Sequence, residues 1–292
     1  MRLIKHKTIM KHFFLLLLIL SLLFYSCEKV LVNDGIPSYI SIPSIEVETN
    51  PTNEGSNSHK ITDAWVYFDN NLQGVYPLPT TFPVLLSGKQ NISIKAGIKN
   101  NGIAATRVKY PFYDYFNEEI TLTKNSVIVL NPEVPYANVD SIIFEDFESN
   151  VLIIDTVSTL NSDTTFLSNN TTTFEGNSGG VHLASPHLIF KIATSEIDFL
   201  PRTGTPVFVE LNYKCNTHFQ VGVFANSYQN PVVIQDILTI TPKNEWNKIY
   251  IDLTSAITSP EADSHTVFIS MERDINSTEM AELYLDNFKI VY

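Results

Sequence analysis

The chain has 292 residues, with 19 basic and 31 acidic side chains, a net charge of −12 and 44% apolar residues. That acid excess argues against nucleic acid as a partner, because affinity for phosphate backbones comes largely from Lys and Arg. Two cysteines allow at most one disulfide, so stability must come from buried apolar surface, and the length is ample for that as two domains.

Arg2, Lys5, Lys7 and Lys11 precede an apolar run from Phe13 to Phe24, which closes as Leu23-Phe24-Tyr25-Ser26-Cys27. A basic n-region, an apolar h-region and a small residue before a processing point make a targeting leader. The run falls short of the roughly 20 apolar residues of a membrane span. This leader resembles the signal of a Bacteroidetes-type envelope lipoprotein. The resemblance implies cleavage before Cys27 and acylation of that cysteine, a palmitate-type lipid anchor, and a place in the cell envelope, with the outer membrane as the expected site. Removing the four leader bases leaves 15 basic against 31 acidic side chains, a net charge of −16. Such a chain is repelled by an anionic bilayer surface, so the membrane is expected to be met through the lipid alone. With Cys27 modified, Cys215 has no partner. It lies in phase with Val209, Leu211 and Tyr213 and reads as a buried structural thiol.

Residues 28–36 are expected to form a tether. Tyr39 to Val47 alternates apolar and polar residues as a half-buried strand does, with Pro43 confining it to an edge or a break. Asn50 to His59 reads as a loop. Ala64 to Asp69 and Gln90 to Lys95 alternate again, and Asn70-Asn71, Gly74, Pro77, Pro79 and Gly88-Lys89 between them are turn signals. From Thr62 to Ala96 this pattern resembles PEGA-type immunoglobulin-like envelope modules, which implies a small sandwich acting as a spacer or adaptor. Glu119 to Thr123 and Ser126 to Leu130 are expected to pair as a hairpin turned by Lys124-Asn125. Pro132 and Pro135 mark the end of a first domain at residues 37–135. Before them, Tyr110-Pro111-Phe112-Tyr113-Asp114-Tyr115-Phe116 is the densest aromatic run of the chain. Its rings suit either recognition of sugar faces, with Tyr113 and Tyr115 as candidates, or cover for the core at an interdomain corner.

A second domain is expected at residues 140–292. It opens with Phe147-Glu148, closes with Asp286-Asn287-Phe288, and carries the loop from Gly176 to Leu183 and the segment from Trp246 to Leu253 between them. These four signals in this order resemble jelly-roll carbohydrate-binding modules of the galactose-binding-like type. The resemblance implies glycan binding at a sheet face or rim loops, and a structural Ca2+ held by Glu148 and Asp286 with carbonyls of residues 176–180. Calcium favours such a hard-oxygen shell. His218 and Phe219 in one turn, and Tyr228, Gln229 and Asn230 in the next, are the glycan-binding candidates on rim loops, while Trp65 and Trp246 fall within apolar strand patterns and are expected in the core. No long segment has helical periodicity, so the fold class is all-β: a small immunoglobulin-like sandwich followed by a jelly-roll β-sandwich. One helical turn each is expected at Thr254 to Ile257 and Thr278 to Ala281.

Enzymatic chemistry finds little support. Gly176-Asn177-Ser178-Gly179-Gly180 matches G-x-S-x-G, but a nucleophile elbow needs a strand before it and a helix after it, and Val181 to Ala184 continues as a strand. His182, His187, His218 and His265 lack metal-ligand spacing. The expectation is a non-catalytic lipid-anchored envelope protein whose partner is a glycan, or failing that another envelope protein in a structural or assembly role. A glycoside hydrolase would require two acids, such as Glu145 and Glu148, facing each other across a groove.

Overall fold

The computed structural model describes residues 35–149, 151–158, 162–163, 165–169, 171–201, 204–258 and 262–292. The leader, Cys27 and most of the tether lie outside them. Among the described residues no helix is long and apolar enough to cross a membrane.

The first module is an immunoglobulin-like sandwich. One layer is built on β3 (Asp63–Phe68), β4 (Asn71–Pro77), β6 (Gly88–Lys99), β7 (Arg107–Lys109) and β8 (Tyr115–Leu122), in the order β4-β3-β6-β7 with β8 also on β6. Alternation decides the faces: Ala64, Val66 and Phe68 point into the core and Trp65 and Tyr67 point out. Asp69 and Asn70 take positive φ of 47° and 65°, the geometry that makes a two-residue turn follow the strand twist. Facing this layer, β1 (Ser38–Ile42) pairs antiparallel with β5 (Thr80–Val84) and parallel with β9 (Val127–Val129), while β2 (Glu46–Glu48) runs parallel to β10 (Glu133–Pro135). Pro43 breaks the first apolar segment into β1 and β2, as its missing N–H requires. The expected hairpin from 119 to 130 does not form. β8 pairs with β6 and β9 with β1, so the turn at Asn125 crosses from one layer to the other.

The second module is a jelly-roll sandwich. Its first sheet comprises β11 (Ile142–Glu145), β14 (Leu167–Asn169), β15 (Ser178–Leu183), β17 (Phe208–Cys215), β20 (Lys243–Asp252) and β22 (Ala281–Val291), in the order β14-β15-β22-β17-β20 with β11 also on β22. The opening and closing segments of the domain therefore meet, Ile142 opposite Val291 and Glu145 opposite Phe288. The second sheet comprises β12 (Ile154–Thr156), β13 (Ser162–Asp163), β16 (Ile189–Thr194), β18 (Phe219–Asn226), β19 (Val233–Ile240) and β21 (Ser264–Glu272), in the order β12-β16-β21-β18-β19 with β13 also on β16. Between the sheets lie Leu211, Val221, Ile251, Ile269, Leu283 and Leu285. Cys215 is buried there, and burial pushes its thiol pKa up. A helical turn at Thr254–Ile257 forms as expected, whereas Thr278 to Met280 leads irregularly into β22.

The modules are joined through the outward face of the first jelly-roll sheet. Phe208, Tyr250 and Val291 point away from the jelly-roll core and enter the core of the first module. Tyr110 packs edge-on against Phe208 with ring centroids 5.3 Å apart, and against Tyr250 at 4.9 Å. At the centre, fully buried Glu210 accepts hydrogen bonds at Oε1 from the hydroxyls of Tyr110 (2.7 Å) and Tyr136 (2.8 Å), and its Oε2 stands 2.8 Å from Lys248 Nζ. Burial alone would raise the Glu210 pKa, but Lys248, Lys289 and the donated hydrogen bonds outweigh it and hold the carboxyl below its ordinary value. Lys289 donates to the carbonyl of Ser56 at 2.6 Å, and burial lowers its pKa to about 8 against the pull of Glu210. Tyr113 is wholly buried in this junction, its hydroxyl 3.1 Å from that of Tyr250.

Removing one member of a buried ion pair strands the other, which costs about 3–5 kcal/mol, while replacing both by apolar side chains of similar volume costs far less. Glu210→Gln is therefore expected to lower stability in chemical denaturation by about 3 kcal/mol or more, and Glu210→Leu with Lys248→Met to cost less than the sum of the two single variants, the hydroxyls of Tyr110 and Tyr136 still being left without an acceptor. A loss below about 1 kcal/mol for Glu210→Gln would show that the pair does not hold the junction.

Candidate functional site

The residues singled out in the sequence do not converge. Tyr113 is corrected from candidate ligand contact to junction core, since no ring face of it reaches solvent. Tyr115 remains 39% exposed, with Lys95 Nζ 4.8 Å over its ring. Phe219 is likewise corrected: it starts β18 pointing inward, with its ring 5.2 Å from that of Tyr213. His218 beside it is exposed. Tyr228, Gln229 and Asn230 occupy an exposed turn at the other end of β18, where Tyr228 N donates to Asp263 Oδ2 at 2.8 Å. Tyr228 shares a shallow hollow with Phe199, and each ring is 86% exposed. An eight-residue strand spans about 25 Å, so the His218 turn and the Tyr228 turn cannot grip one sugar ring.

Glu148 and Asp286 line one small cavity of about 150 Å3 together with Asp146, Glu175 and Asn287. Glu148 accepts from Asn177 N (2.6 Å) and Nδ2 (2.9 Å). Asp286 accepts from Ser178 Oγ (2.7 Å), Glu175 N (3.1 Å) and Asn287 N (2.7 Å), and burial raises its pKa to about 6. The oxygen donor chemistry suits calcium. As placed, however, both carboxylates serve protein donors, and among the described residues no three His, Cys, Asp or Glu side chains stand close enough to hold a metal. The closing Asp-Asn pair also shapes the backbone, since Asn287 takes a φ of 46° at the register shift where β22 passes between Glu210 and Asn212 of β17. Phe147 is held at a φ of 60° by its N–H bond to Glu145 Oε1, 2.8 Å, while Glu145 Oε2 accepts from Ile153 N. Glu145 is thereby spent on loop geometry and does not face Glu148 as a catalytic partner. Ser178 is buried at the start of a strand that runs on to Leu183, so the G-x-S-x-G context of a nucleophile elbow is not met.

The part of the first jelly-roll sheet's outward face that the first module leaves uncovered carries Trp246, which the sequence placed in the core, a buried Tyr284, and, beside them, Phe174. Leu283 and Leu285 point inward, so Tyr284 between them points out, opposite Gly180 of β15 and Lys214 of β17. Tyr284 Oη lies 2.8 Å from Nε2 of exposed His182. Trp246 is corrected from core to this outward face, where it is half-buried and meets the partly exposed Phe174 edge-on at 5.8 Å. Trp65 is also half-buried outside the core of its module, under Lys109 Nζ at 5.6 Å. The alternation around Tyr284 could have revealed its direction. Phe174 gave no such signal, because it sits in a Ser-, Thr- and Asn-rich loop.

No family model matches the chain, and no curated protein matches it. Among solved structures, one described under the promiscuous specificity of carbohydrate-binding modules from the β-sandwich superfamily is 12% identical, covering 89% of this chain and 100% of its own, with a TM-score of 0.43. A family 22 carbohydrate-binding module from Clostridium thermocellum Xyn10B is 15% identical over 51% of this chain and 91% of its own, TM-score 0.35. A tailspike protein of bacteriophage CBA120 is 13% identical over 48% of this chain and 19% of its own, TM-score 0.37.

Proposed function

We propose that this chain is a non-catalytic, lipid-anchored envelope protein that binds carbohydrate on the outward face of its first jelly-roll sheet. The observation that carries the reading is the half-open pair of Phe174 and Trp246 beside His182 and Tyr284. Aromatic rings offer apolar surface to the C–H faces of a sugar while neighbouring polar groups take its hydroxyls. His182, Lys214 and Glu282 supply such groups on or beside the same stretch of sheet. Lipid attachment at Cys27 rests on the leader pattern and would set the protein in the outer membrane or another envelope layer. A second reading, an assembly protein docking another envelope protein, is favoured by Val232, Val233 and Ile234, each at least half exposed on or beside the edge strand β19. Exposed apolar edges pair readily with other chains.

Three measurements test this. On an array of bacterial and plant glycans the protein is expected to bind a defined glycan saturably, and Trp246→Ala to weaken that binding at least tenfold, about 1.4 kcal/mol. A blank array would favour the assembly reading. Growth with an alkyne-tagged palmitate is expected to label the protein, and Cys27→Ser to abolish the label; retained label would remove the anchor assignment. Because Glu148 and Asp286 already accept from protein donors, calcium and EDTA are expected to leave the melting temperature unchanged, whereas a rise of a few degrees with calcium, reversed by EDTA, would assign a metal to those carboxylates.

A further inference from the structure

Where the two modules meet, beyond the aromatic face, a cleft of about 410 Å3 opens at the edge of the jelly roll between β19 and β20. One wall is the turn from Lys99 to Ile103 of the first module, and the other is the β19–β20 turn around Thr241 and Lys243. The first wall is fixed in place. Asn101 N donates to the Tyr250 carbonyl at 2.9 Å, Asn101 Oδ1 accepts from Asp252 N at 2.9 Å, and Gly102, at a φ of 69°, approaches Ile249 so closely that a Cβ would meet its Cδ1 at 3.1 Å. Lys60 is pinned through its backbone N–H, 3.0 Å from Tyr250 Oη, and its Nζ donates to Asn247 Oδ1.

The lining carries four lysines, Lys60, Lys99, Lys243 and Lys248, and no acid, in a chain where acids outnumber bases 31 to 19. Lys248 is neutralised by Glu210. Among the described residues, none of the other three has a carboxylate within 4.0 Å. They also feel one another: burial first, then Lys99 and Lys243, lower the Lys60 pKa. Unpaired like charges gathered into one concavity repel, and the field lines focused there concentrate counter-ions of opposite sign. A rigid, concave, polar-walled site of net positive charge recognises an oxyanion by charge-assisted hydrogen bonds.

We propose that this cleft binds an oxyanion group, a carboxylate, sulfate or phosphate, held by Lys60, Lys99 and Lys243 with the hydroxyls of Thr239 and Thr241 and the Asn101 amide on its walls. The site is independent of the aromatic face, although Trp246 and Asn247 adjoin in one strand.

The test titrates the full-length protein, in a non-ionic polyoxyethylene detergent, with trigalacturonate, a sulfated disaccharide and inorganic phosphate, and with a neutral xylo-oligosaccharide for comparison. At least one anionic probe is expected to bind with submillimolar affinity at low salt. Lys60→Gln with Lys243→Gln, both exposed positions, should weaken it at least tenfold without moving the melting temperature, and Trp246→Ala should leave it intact. Preference for the sugar acids or sulfate would identify an acidic glycan as the source of the oxyanion, and preference for phosphate a phosphorylated ligand. If no anionic probe binds at 10 mM, or if the double variant binds as well as the parent, the proposal is overturned. Loss of anion binding in Trp246→Ala would overturn the independence of the two sites. A blank glycan array alongside intact phosphate binding would sink the carbohydrate reading and leave the cleft standing.

Discussion

A carboxylate with no access to water sets the terms for this molecule. Glu210 sits on the outward face of a sheet, where an uncovered strand would leave it in solvent, and the immunoglobulin-like module is what covers it. Two tyrosine hydroxyls and one ammonium group satisfy its oxygens, and each tyrosine comes from the first module or its exit segment. A buried charge is tolerable only when it is paired and hydrogen-bonded. The two modules therefore cannot separate without exposing aromatic core and breaking this set at once. Because the folded pKa of Glu210 lies below its unfolded one, its contribution is complete above the unfolded value and is lost only as pH falls through the depressed folded value.

The same junction shapes both candidate surfaces. By covering Phe208, Glu210, Tyr250 and Val291, the first module takes one end of the outward face and leaves open the end bearing Trp246 and His182, with the buried Tyr284 ring between them. By anchoring the turn at Asn101 onto β20, it also creates a wall that neither module has alone. Recognition surfaces at such seams inherit the rigidity of the seam, which lowers the ordering cost of binding.

Much of this fold was legible in the sequence, because period-two alternation reports one buried face directly. It placed β1, β3, β6, β17 and β20, and the opening and closing segments of the second domain do pair, although Phe147-Glu148 itself falls in the loop just after β11. The departures have physical causes. The segment from Glu119 to Leu130 reads as a hairpin because local turn chemistry at Lys124-Asn125 is the same whether the chain returns beside itself or crosses to the facing layer. Tyr113 has the chemistry of a sugar contact, but alternation does not distinguish a face turned to solvent from one turned to a second module; Phe219 reads as a turn residue, whereas β18 already begins there and its ring enters the jelly-roll core. Trp246 departs in the opposite direction: with Ile249 and Ile251 inward, alternation along β20 puts it on the outward face with Lys248 and Tyr250, beyond the part that the first module covers. The lysine cleft was invisible, as Lys60, Lys99 and Lys243 are brought together only by the docking of one module on the other.

The position of β22 in the first jelly-roll sheet has a kinetic meaning. It follows every other strand in sequence, yet it pairs with β11, β15 and β17, and its Val291 seals the junction with the first module. Contacts between residues 142 and 291 close a very long loop, and chains dominated by such non-local pairings fold slowly. A ribosome or an export pore that delivers this chain from its N-terminus releases the immunoglobulin-like module with its full complement of strands, but releases the jelly roll with a gap at its centre. Until that last segment arrives, β15 and β17 each present an unpaired edge, so the molecule spends its synthesis as a folded first module tethered to a sheet that must wait to be closed.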